Sequence, residues 1–167
     1  SRVQTMAAWA KRQSSKWPKY VYGGGHGKLG YGPYDCSGFV SGILHAGGFL
    51  NGAPMTTDGL KNWGAKGSGR LITVGVRGST GRNAHTMIRV GKTYWEAGSR
   101  GVGRRSGWSG SFPIRRHPRG YRAGDTVSCS LPPRALELLA LNPGFLDPRS
   151  ASFVGWGLRG GGVVPRV

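Results

Sequence analysis

The chain has 167 residues, room for one domain of ordinary size or one domain plus a tail, and 37% hydrophobic content with 32 glycines predicts a loop-rich fold around a modest core. Twenty-four Lys and Arg against six Asp and Glu give a formal charge of +18, which predicts affinity for a polyanionic surface and leaves nucleic acid, anionic lipid and bacterial cell wall all open. No window approaches the roughly 20 apolar residues of a membrane helix, SRVQTMAAWAKRQ lacks the apolar core of a secretory signal, and a start without Met leads us to expect a piece of something longer.

Residues 3–15 place Val3, Met6, Ala7 and Trp9 on one side of a short amphipathic helix that Pro18 stops. YVYGGG (20–25) is a brief extended run entering a glycine loop that lasts to Tyr34. From Cys36, the residues Phe39, Val40, Ile43 and Leu44 recur at helical spacing, and Gly47-Gly48 supplies the stop. RLITVGV (70–76) alternates as a strand. HTMIRV and TYWEA form two more, joined by Gly91-Lys92 in a two-residue hairpin with Gly at the first turn position. Gly-, Arg- and Ser-rich loops fill 98–111, and FPIRRHPRGY holds one closing strand. Composition changes after Tyr121: PPRALELLALNP reads as a helix, and 122–167 as an appendage or linker to a domain spanning 1–121.

Two cysteines, Cys36 and Cys129, allow one disulfide or two free thiols, and neither they nor the scattered histidines show zinc-ligand spacing, so we expect no metal and no cofactor. Asp35-Cys36-Ser37-Gly38 is a turn-prone cluster opening an apolar helix, and a helix N-terminus favours thiolate over thiol. The alternative for Cys36 is a small buried hydrophobe, a common fate of free cysteine. Four histidines compete as its base. His26 lies in the flexible GGGHG loop and reads as solvated, His45 is more than two turns along the thiol's own helix, and His117 belongs to a basic loop. His85 opens a strand, a rigid platform. Strand parity puts His85, Met87 and Arg89 on one face, and closing the hairpin pairs Val90 with Thr93, Met87 with Glu96 and His85 with Gly98. Glu96 is then the diagonal neighbour of His85, able to accept from one ring nitrogen while the other faces the thiol. The competing reading of Glu96 is a surface carboxylate among arginines, and a slip of one residue would turn it away.

YVYGG, YDCSGFV and the strand beginning HTMIRVGKTYWEAG together resemble the NlpC family of papain-like bacterial cell-wall cysteine peptidases, over roughly residues 3–121. The resemblance implies an α+β, papain-like fold in which N-terminal helices donate the nucleophile helix onto a small antiparallel sheet. It implies Cys36 as nucleophile and His85, 49 residues later, as base. It places Tyr20 beside the nucleophile, helping to bind the substrate carbonyl or its oxyanion, and has Asp35 and Ser37 line a pocket for the free amino end of a stem peptide. The implied reaction cleaves peptidoglycan stems after D-glutamate or isoglutamine, towards the diamino acid. The chain departs from the family at the third catalytic position, usually His, Asn or Gln about twelve residues after the base; here Glu96 stands eleven after it. Residues 122–167 match nothing in the pattern, and the Gly- and Arg-rich flavour is similar to phage-borne versions in tail tape-measure proteins or lysins.

The expected activity is therefore a thiol acyl transfer on peptidoglycan, at the wall, by a secreted or virion-associated protein. Anionic wall polymers would attract its charge, and Arg100, Arg104 and Arg105 would either line the approach to the groove or form a solvated loop. Rivals are a cysteine- and histidine-dependent amidase cutting the sugar–peptide amide or cross-bridges, a non-catalytic wall-binding or tail module, and a nucleic-acid binder. The last lacks any groove-reading helix or stacking motif, so we expect no specific nucleic-acid partner.

Overall fold

In the computed structural model, which describes residues 1–78 and 81–121, the chain opens with α1 (Arg2–Lys16). Ser1 caps it reciprocally with Gln4, Lys16 complements the last turn, and Pro18 follows within two residues. α2 (Cys36–Ala46) starts at Asp35, whose carboxylate accepts from the Gly38 N–H at 2.7 Å, and ends at Gly47, with Gly48 in the left-handed region at φ +70°. A single turn of helix, α3 (Thr57–Leu60), follows. Six strands complete the fold: β1 (Ala65–Lys66), β2 (Ile72–Arg77), β3 (His85–Val90), β4 (Thr93–Gly98), β5 (Gly101–Arg105) and β6 (Ile114–His117). They make one sheet in the order β1-β6-β2-β3-β4-β5, antiparallel at every pairing. The architecture is α+β.

The β3–β4 hairpin has the expected register: Val90 faces Thr93, Arg89 faces Tyr94 and Ile88 faces Trp95, with Gly91 in the turn at φ +60°. Continued in step, that register sets Met87 against Glu96 and His85 against Gly98. Two expectations are corrected. The stretch 98–111 is not loop throughout: Gly101–Arg105 pairs with β4 as an edge strand and buries Val102. Glycines at 101 and 103 hide it from any reading of side-chain alternation, and pairing rather than propensity holds it. The closing strand shrinks to Ile114–His117 and pairs with both β2 and β1. The expected helix at 132–143, the boundary after Tyr121 and the state of Cys129 lie outside the described residues.

One face of the sheet carries Ile72, Val74, Val76, Ile88, Val90, Trp95, Ala97 and Val102 and packs on Met6 and Ala10 of α1 and Phe39, Val40, Ile43 and Leu44 of α2. The helices themselves approach closely at Gly42, where any Cβ would overlap the Trp9 indole. Because β5 lies at one edge and β6 beyond β2, the connection between them must cross the other face. It does so with Trp108 edge-on to Tyr94, Phe112 against Trp108, and Ser109 donating to the Met87 sulfur. That crossing roofs the face on which His85 and Glu96 stand.

Candidate active site

The thiol is placed by contacts between backbone segments. Val21 N–H donates to the Tyr34 carbonyl and Asp35 N–H to the Gly24 carbonyl, with Tyr20 bridged to Tyr34 in parallel, so the glycine loop is laced to the start of α2. A Cβ at Gly38 would overlap the Gly24 carbonyl oxygen, and one at Gly24 would lie 2.6 Å from the Pro33 oxygen. The glycines of YVYGGG and DCSG are thus required by one close approach, which sets Tyr20 and Tyr22 along the cleft that holds Cys36. Cys36 is a free thiol, 6% exposed, with its Sγ 3.8 Å from Thr57 Oγ1. In the first turn of α2, Gly38 N–H goes to the Asp35 carboxylate and Phe39 N–H to the Asp35 carbonyl. The N–H groups of Cys36 and Ser37 have no acceptor among the described residues, as the first groups of a helix do not.

His85 presents two different sides. Its Nε2 lies 2.7 Å from Glu96 Oε1, which leaves Nδ1 free of that bond, and the Cys36 thiol is near enough to act on the titration of the ring. Burial works against a charged imidazole here. The bonds and charges of Cys36 and Glu96 outweigh it and lift the His85 pKa from 6.5 to about 9. At neutral pH the ring is an imidazolium. Glu96 is 5% exposed, and burial alone would raise it; instead bonds from His85, Ser109 and Arg105 bring its carboxyl down from 4.5 to about 2. The bonds are Ser109 Oγ to Oε1 and Arg105 Nε to Oε2 at 2.7 Å. Glu96 is therefore neither a bare orienting acid nor a surface carboxylate, but a buried anion shared by an imidazole, a hydroxyl and a guanidinium.

Tyr20 borders the cleft beside Cys36 and also the one beside His85. Burial, then the charges of Cys36, Asp35 and Tyr22, push its phenol up to about 12, so the hydroxyl keeps its proton and is a donor. Asp35 and Ser37 are buried at the mouth of the helix, Ser37 Oγ donating to Asp35 Oδ1 at 3.1 Å.

His26 corrects the sequence reading. It is not solvated: its Nε2 stands 3.0 and 3.1 Å from the two Asp35 oxygens and 3.1 Å from Ser37 Oγ. No spacing rule reaches across a glycine loop of that length, so only the fold brings it there. Arg105 also departs from expectation, turning inward to Glu96 while Arg104 stays exposed. His45 and His117 bond the carbonyls of Leu50 and Gly67. Among the described residues no group of three or more His, Cys, Asp or Glu side chains is arranged to hold a metal ion.

Comparison with protein-family models, with curated proteins and with solved structures finds no match to this chain.

Proposed function

We propose that the protein is a peptidoglycan hydrolase of papain-like architecture that cleaves an amide bond in the stem peptide, between D-glutamate or isoglutamine and the diamino acid, through a thioester on Cys36. The observation that carries this reading is Cys36 in the first turn of α2, close enough to shift the titration of His85, with Glu96 bonded to the far side of that ring at 2.7 Å. This is the charge arrangement a nucleophilic thiol requires. The Cys36 sulfur attacks the amide carbonyl, and the S–C bond forms as the carbonyl oxygen takes up negative charge. The Cys36 and Ser37 N–H groups and the protonated Tyr20 hydroxyl are the donors for that oxyanion. As the tetrahedral intermediate collapses, the C–N bond breaks and His85 Nδ1–H passes its proton to the leaving amine. The neutral ring then takes a proton from water, whose oxygen attacks the thioester and releases the acid and the thiolate. Glu96 holds the ring through Nε2 in both steps.

The same reading gives the surface charge a purpose, since cell-wall polymers are anionic and a cationic enzyme concentrates on them. It places the protein at the bacterial wall, secreted or carried on a virion, as a module of a larger tail or lysin chain. The experiment is digestion of purified peptidoglycan fragments by the protein and by Cys36→Ala, with products identified by mass. Cleavage within the stem by the first and not the second is expected. Release of intact stems would move the assignment to a sugar–peptide amidase, and no cleavage of several wall chemotypes by either form would refute the hydrolase.

A further inference from the structure

Glu96 meets a different cation on each oxygen. Oε1 lies 2.7 Å from His85 Nε2 and accepts from the Ser109 hydroxyl, while Oε2 accepts from Arg105 Nε at 2.7 Å. Arg105 reaches it from the neighbouring strand, where Gly103 stands opposite Glu96 and puts no side chain in the way. The guanidinium is fixed as well as buried. Its Nη2 donates to the Gly101 carbonyl at 2.7 Å and its Nη1 to the Arg104 carbonyl at 3.0 Å, and the side chain is only 11% exposed. The start of β5 is itself tied down, with Val102 N–H on the Pro18 carbonyl at 2.9 Å. Arg105 is thus a permanent charge on the second oxygen of the carboxylate that His85 binds. The other charged or titratable groups around the ring are Cys36 of α2, Arg77 opposite His85 on β2, Arg100 after β4 and Tyr20 in the wall of the same cleft. None of them can stand in for Arg105. Arg77 Nη1 donates to the Ser109 carbonyl at 3.2 Å, Arg100 is 64% exposed and 3.6 Å from Glu96, and Tyr20 keeps its proton. Solvent screens an exposed head far more than a buried one.

The proposed reaction needs the His85 proton to be both held and released. As the tetrahedral intermediate collapses, the C–N electron pair goes to nitrogen, which takes the Nδ1 proton and leaves a neutral ring. A buried carboxylate with no cation besides that ring would oppose the step, because the neutral ring leaves it an unpaired buried anion. We infer that Arg105 is a positioning residue that makes the proton transferable: it holds Glu96 in place and matches its charge whether or not the ring is protonated. This rests on the hydrolase reading and names the group that lets a carboxylate serve behind the base. The sign of its effect is opposite to that of Glu96. Glu96 tightens the hold on the ring proton, and Arg105, by sharing the carboxylate, loosens it. The sign is the same wherever between imidazole and carboxylate the proton resides, since removing a fixed positive charge beside the pair makes its proton harder to lose.

The test reads the ring itself and does not need turnover. In full-length Cys36→Ala, where no thiol titrates with the imidazole, the His85 ring protons are followed by NMR against pH and assigned by their loss in His85→Gln. Arg105→Gln should raise the titration midpoint by about one pH unit. Glu96→Gln should lower it. A residue that only held the carboxylate in place would, on removal, act like the loss of Glu96 and lower the midpoint too, so the direction decides. Arg105→Gln made together with Glu96→Gln leaves neither buried charge unpaired and answers if the single variant does not fold; its midpoint should lie above that of Glu96→Gln alone. Arg100→Gln, at an exposed head, should move the midpoint by about a third as much or less. A fall or no change on replacing Arg105 in either background, or an equal rise from Arg100→Gln, would overturn the role. Cleavage of wall fragments by the wild type is scored separately: a raised midpoint without cleavage would retain the action of Arg105 on His85 and discard the hydrolase, and cleavage with an unmoved midpoint the reverse.

Discussion

Replacing Glu96 by Gln keeps the shape of the side chain and removes the charge on which three donors converge. A carboxyl held at about 2 instead of 4.5 has its ionised form stabilised by roughly 3 kcal/mol on folding. That figure already includes the bond to His85, so the rise of His85 to about 9 is not added to it. The sign follows from the depressed pKa: the contribution is fully present above about 4.5 and fades as pH falls towards 2. Glu96→Gln removes it and leaves Arg105 nearly buried without an anion, so we expect a loss of about 2–4 kcal/mol at pH 7. Urea denaturation followed by tryptophan fluorescence, at intervals from pH 7 to pH 3, measures it. Wild-type stability should decline below pH 4.5 by more than that of the variant, and the gap between the two curves should narrow towards pH 3. A constant gap between them across that interval would refute the reasoning, because the loss would then come from packing and not from the carboxylate charge. In the same variant, the imidazolium loses one of its two supports, so the alkaline limit of hydrolysis should move to lower pH.

The raised pKa of His85 predicts that hydrolysis falls as pH rises through about 9, as the ring loses the proton it gives the leaving amine; the stability it lends is complete below about 6.5 and lost over the same rise. A rate against pH that is flat to pH 10 would contradict this. The two helical glycines should respond unequally to alanine. At Gly38 the new methyl meets the Gly24 backbone, and we expect thermal melts to report a loss of about 2–3 kcal/mol; at Gly42 it meets the outer edge of the Trp9 indole, a side chain rather than backbone, and the loss should be smaller, about 1–2 kcal/mol. Equal costs would mean the glycine loop yields as readily as a side chain.

Much of the site-bearing frame was legible because its signals are local. Helical spacing after Cys36, the Gly-Lys turn and the two-residue period of the hairpin need no tertiary information, and the turn sets the register that brings Glu96 beside His85. What escaped is what only the closed sheet brings together. β5 is held by pairing with β4, not by its own composition. Ser109 and Phe112 meet His85 and Glu96 because the chain must cross one face of the sheet to reach its other side. His26 meets Asp35 because the glycine loop folds back on the helix start. Arg105, read as part of a solvated or cleft-lining loop, is turned inward by β5, whose residues Gly103 and Arg105 flank Glu96 on the neighbouring strand.

In a chain with eighteen more cations than anions, the places where the anions stand say more than the cations do. A surface arginine is cheap to solvate and carries little information. A buried carboxylate must be compensated, so its neighbours are constrained as a set. Asp35 caps the helix that carries the thiol and engages His26; Glu96 engages His85 and Arg105; both stand within a residue or a hydrogen bond of the two groups proposed to do the chemistry. The Glu96 carboxylate is already engaged by His85 and Arg105. The field left over in the cleft beyond His85 is that of Arg77 and Arg100, and it is positive. Added salt should steeply weaken any binding of the protein to an anionic polymer that rests on its +18 charge.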